Sequence, residues 1–71
     1  MPDSMYKVIE LIGSSKESWE QAARLAVEEA SKHLRELRVA EVVAQDLVIE
    51  NGKVVTYRTK VKVSFKYQGT A

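Results

Sequence analysis

The chain has 71 residues, no cysteine and a formal charge of +1, with 45% hydrophobic and 30% charged side chains. This composition fits one soluble globular domain and excludes disulfide stapling and thiolate metal sites; the near-balanced charge also argues against a polycationic nucleic-acid binder. A core this small seldom supplies more than about 3 to 5 kcal/mol, so association with further copies is the expected source of stability.

The start of the chain lacks a basic, apolar, small-residue signal segment, and no apolar run approaches the roughly eighteen residues of a membrane span. The expected location is therefore the cytoplasm.

Met5 to Gly13 is short, β-branched and alternating, which predicts a strand closed by a glycine turn. A helix is predicted from about Lys16 to Leu37. Ser14 or Ser15 is placed to cap it, with Glu17 three residues after Ser14 as in a capping box. Trp19, Ala22, Ala23, Ala26, Val27, Ala30, Leu34 and Leu37 recur at the spacing of one buried stripe, opposite Glu20, Arg24, Glu28, Lys32 and Arg35. The alanines in mid-stripe bring the helix axis close to the sheet it covers, and Trp19 and Leu34 fill the wider ends.

Arg38 to Glu50 predicts a second strand, and Asn51-Gly52 a tight hairpin turn, because both residues tolerate positive φ. Val54 to Tyr67 then alternates Val55, Tyr57, Thr59, Val61, Val63, Phe65 and Tyr67 against polar neighbours. Fourteen residues extend roughly 45 Å, far beyond the needs of one small domain. Centring the turn on Asn51-Gly52 places Ile49 opposite Val54, Gln45 opposite Arg58, Glu41 opposite Lys62 and Val39 opposite Ser64 on one face. On the other face Val48 meets Val55, Asp46 meets Tyr57, Ala44 meets Thr59, Val42 meets Val61 and Ala40 meets Val63. This second, more apolar set is expected to carry the helix. The fold class is α+β: a β-α-β-β subunit with a three-stranded antiparallel sheet in order 1-3-2 wrapped over one helix.

The first face mixes apolar and charged residues. It reads either as a wall shared between subunits and lining ligand pockets, or as a solvated face of cross-strand ion pairs. His33 has no second nitrogen or sulfur ligand and reads as a surface residue, and Trp19 as core. The row Arg58, Lys60, Lys62 and Lys66 has acids opposite and no stacking aromatic, unlike a nucleic-acid track. No nucleophile with a neighbouring base, phosphate-cradling glycine loop or carboxylate pair in a cleft is evident, so no enzyme activity is expected.

The ordered set YKVIELIGSS, SWEQAA, LRVAEVVAQD and NGKVVTYRTKVKVSFKY resembles the dodecin family over about Tyr6 to Tyr67. The resemblance implies a hollow homododecamer of cubic-type symmetry whose members bind and store flavins such as riboflavin or FMN. In flavin-binding members a tryptophan near the start of the second strand stacks on the isoalloxazine ring, and a glutamine in the third strand bonds its polar edge. The matching positions here are Val39 and Arg58, which depart from both. Val39 and Arg58, with Gln45 placed beside Arg58 by the hairpin register, are the expected pocket-wall residues, and the resemblance names flavin as the ligand. The alternative is a structural or divalent-cation-binding dodecamer, with Glu41, Asp46 and Glu50 as candidates for meeting across symmetry axes. Neither nucleic acid nor membrane is an expected partner.

Overall fold

The computed structural model describes residues 5–66, so the expected strand end at Tyr67 lies outside the described residues. Strand β1 spans Tyr6–Ser15, helix α1 Trp19–Ser31, strand β2 Leu37–Glu50 and strand β3 Lys53–Lys66. The three strands form one antiparallel sheet in the order β1-β3-β2. Among the described residues no helix is long and apolar enough to cross a membrane.

The helix is shorter than its periodicity predicts. Gly13 does not turn the chain; β1 runs through it to Ser15. A Cβ at Gly13 would collide with the carbonyl oxygen of Ala22, so glycine is what admits the helix backbone onto the strand. Ser15 Oγ accepts from the Glu17 amide at 2.9 Å, and the N-cap falls on Ser18, whose hydroxyl accepts from Gln21 N at 3.0 Å. At the far end the chain leaves the helix after Ser31 and turns into β2 through Glu36, a non-glycine residue at φ 59°. Leu34 and Leu37, expected in the helix, instead belong to this connection and to the start of β2.

Residues 13, 22 and 26 explain the layer spacing. Ala22 and Ala26 are buried against Gly13, Val61 and Val63, so the small-residue stripe does bring the helix close to the sheet. The helix lies over β1 and β3, however, and barely touches β2. Among the described residues the expected cover over Ala40 and Val42 does not form, and both are exposed. Thr59, fully buried among the valines of β3, donates its hydroxyl to the Trp19 carbonyl at 2.9 Å.

The Asn51-Gly52 turn forms as expected, with φ of 52° and 74°. The hairpin register matches at Ile49–Val54 and again at Val42–Val61, Glu41–Lys62, Ala40–Val63 and Val39–Ser64. Between these it slips by one residue: Val48 faces Thr56, Leu47 faces Tyr57, Asp46 faces Arg58, Gln45 faces Thr59 and Ala44 faces Lys60. Val55 on β3 and Val43 on β2 each stand unpaired, and the two bulges offset one another.

Candidate functional site

The sheet face turned away from α1 is built from rows that cross all three strands. Antiparallel register sets Val8, Ser64 and Val39 in one row, Glu10, Lys62 and Glu41 in the next, then Ile12, Lys60 and Ala44, then Ser14, Arg58 and Asp46. Lys62 therefore stands between two acids, with its Nζ 3.9 Å from Glu10 Oε2. The expected Glu41–Lys62 alignment holds in register, while the ion pair that forms is with β1.

Arg58 makes the strongest polar contact on this face. Its Nε and Nη2 donate to the two carboxylate oxygens of Asp46 at 2.7 and 2.8 Å, a bidentate geometry that only the slipped register allows. The hydrogen bonds from Arg58 hold the Asp46 carboxyl below its ordinary range; lost hydration opposes them, and the charges of Arg58 and Lys60 add to them. The same bonds make Arg58 more basic than a free guanidinium. From the helix side, Trp19 Nε1 donates to the Asp46 carbonyl at 3.0 Å, and its ring meets Tyr57 edge-on at 5.3 Å. Asp46 thus ties the helix start to the open face.

The three residues expected to share a wall are not brought together within one chain. Val39 is 63% exposed, in an open cleft of about 570 Å³ lined by Tyr6, Arg38, Ser64 and Lys66. Arg58 is on the same face but six residues along β3 from Ser64, the partner of Val39, about 20 Å away. Gln45 does not oppose Arg58. The bulge at Val43 pairs it with Thr59 and moves it to the helix side of the sheet.

Of the acids considered for cations, Asp46 is committed to Arg58, whereas Glu41 and Glu50 are exposed. Among the described residues no three His, Asp or Glu side chains cluster closely enough to hold a metal ion. Asp46 as the partner of Arg58, and Tyr6, Arg38 and Lys66 around Val39, are contacts that the sequence reading missed. The opposite charges at positions 46 and 58 were a signal for the first, obscured by an unbulged register that set Asp46 against Tyr57.

The β-α-β-β order, the helix seated on a three-stranded sheet and the long hairpin together define a small sheet-over-helix subunit. The dodecin family model matches residues 5–68, and the chain belongs to the dodecin family. It is 49% identical over 63 residues to calcium dodecin from Mycobacterium tuberculosis, covering 89% of each protein. Its fold is similar to the crystal structure of the M. tuberculosis calcium-chelating antigen, described with a novel calcium-binding site (TM-score 0.83, 48% identity, 96% of this chain and 97% of that one). It is also similar to dodecin from Streptomyces coelicolor (TM-score 0.92, 34% identity, 99% and 100% of the two chains).

Proposed function

We propose that this chain is the subunit of a non-enzymatic homododecameric shell whose bound species is a divalent cation, calcium by relationship. The observation that carries this reading is the 49% identity, over nearly nine-tenths of both proteins, to a relative named for calcium. Oxygen donors suit that ion, and Glu41 and Glu50 are exposed carboxylates that other copies can approach. In this reading the ion is held between copies, with backbone oxygens or waters completing its shell, because the described residues of one chain bring no sufficient cluster together.

Flavin binding is the second reading, supported by family membership and by the cleft at Val39, which has Tyr6 as a wall aromatic. Two features weigh against it: valine offers no stacking platform at position 39, and Arg58 is held by Asp46. A nucleic-acid role has little support, since Arg58 and Lys62 are engaged by Asp46 and Glu10. The proposal places the shell in the cytoplasm.

The test is a calorimetric titration of chelator-treated protein with calcium chloride, beside a titration with riboflavin and FMN followed by flavin fluorescence. Saturable calcium binding that weakens at least tenfold in Glu41→Gln or Glu50→Gln, with no flavin quenching, is the expected result. Flavin quenching without calcium heat would replace this reading with the second.

A further inference from the structure

Strand β1 lies at one edge of the sheet, and α1 passes over it with its small residues inward. On this flank the helix and the strand enclose an open concavity of about 380 Å³. Leu11 and Gly13 form its strand wall, and Ala26 and Ala30, one helical turn apart, form its helix wall. The two alanines keep it open, because a longer side chain at Ala30 would occupy it. Leu25, Glu29 and His33 follow at the same spacing along the outer rim. The cleft therefore runs about 12 Å beside the helix and the turn that follows it, apolar at Leu25 and polar at His33. A mostly apolar lining with few polar groups is typical of small-ligand sites, which span roughly 300 to 1,000 Å³.

The rim selects the charge of the occupant. Glu29 is ion-paired with Lys32 at 2.9 Å, so a charged head group would shed its hydration here without gaining an uncompensated counter-charge. His33 donates its backbone amide to the Ala30 carbonyl at 3.0 Å, while among the described residues its imidazole has no partner. An imidazole with one ring proton both donates and accepts, and so does a hydroxyl. We propose that this cleft binds a slim, uncharged amphiphile, a medium-chain aliphatic alcohol, with its chain against Leu25, Ala26 and Leu11 and its hydroxyl on His33. Leu25 is 46% exposed and Leu11 half-buried, so the chain covers apolar surface that the subunit leaves to water. The site lies on the helix side of β1 and shares no residue with the Val39 cleft or with the carboxylates assigned to the cation.

His33 is the one histidine of the chain, so its ring resonances report on this cleft alone. The full-length protein, in its native assembly and carrying isotope-labelled histidine, is titrated with n-octanol, and with octanoate and octylammonium as charged controls of equal chain length. The expected result is a saturable shift of the His33 ring signals by octanol, with affinity at least tenfold above that of either ion. Ala30→Leu, which fills the cleft, is expected to weaken octanol binding at least tenfold. Octanol that saturates without moving the His33 signals, or that binds Ala30→Leu as tightly as wild type, would overturn the site. Equal binding of either charged control would overturn the uncharged ligand, and the absence of saturable octanol binding would refute the proposal outright. Should Ala30→Leu disturb folding, Leu25→Ser at the exposed rim is the second variant, with at least a fivefold loss expected and an unchanged affinity contradicting the cleft.

Discussion

At Asp46 the backbone carbonyl accepts from Trp19 on the helix side while the carboxylate takes two donors from Arg58 on the open face, so one residue joins both layers of the subunit. The pH dependence follows from the lowered pKa of its carboxyl. A carboxylate whose folded pKa lies below its unfolded value contributes stability that is complete above the unfolded range, near pH 4, and is lost as pH falls through the lower folded value. Asp46→Asn is therefore expected to lower the thermal midpoint by a constant amount from pH 7 to about pH 5, with the gap from wild type closing below about pH 4. A gap that stays constant down to pH 2 would show that the ion pair is not its source. Thr59 is the second residue with a defined polar task. Thr59→Val keeps the shape and removes the hydroxyl that donates to the Trp19 carbonyl alongside the helix's own amide bond, for an expected loss of about 1 kcal/mol in denaturant unfolding. No loss in that measurement would mean that the hydroxyl contributes nothing.

Among the elements, β3 was legible from its alternation over the described residues and the hairpin turn from Asn51-Gly52, because each signal is local. The middle of the hairpin was not legible. A bulge inserts a single residue with no compositional mark, and the paired bulges at Val55 and Val43 leave Ile49–Val54 and Val39–Ser64 in the expected register while shifting everything between, with a further slip beyond Val39 that pairs Leu37 with Phe65. That shift moved Gln45 off the open face and brought Asp46 to Arg58. The helix start was misplaced for a related reason: Gly13 serves a close approach between layers, which local sequence does not distinguish from a turn. The two glycines therefore differ in what alanine would cost. Gly52→Ala meets no neighbouring atom and strains only a positive φ, for about 1 kcal/mol, whereas Gly13→Ala must push the helix off the sheet and is expected to cost 3 kcal/mol or about that. Equal losses in denaturant unfolding would contradict this packing.

The whole molecule is elongated and open. Its extents are 54 × 20 × 16 Å and its radius of gyration is 14.9 Å, against about 11 Å for a compact chain of this length. The described core holds only Ala22, Ala26, Val61, Val63 and Thr59, while Val39, Val42, Val43, Leu47 and Ile49 are exposed along β2. That imbalance could be anticipated from chain length and strand length. The exposure of Ala40 and Val42 could not, because the displacement of α1 toward β1 is a tertiary choice. The most direct test is the absolute mass of the purified protein by light scattering at micromolar concentration. A dodecameric mass with no detectable monomer is the predicted result, and a folded, stable monomer or dimer would contradict the account.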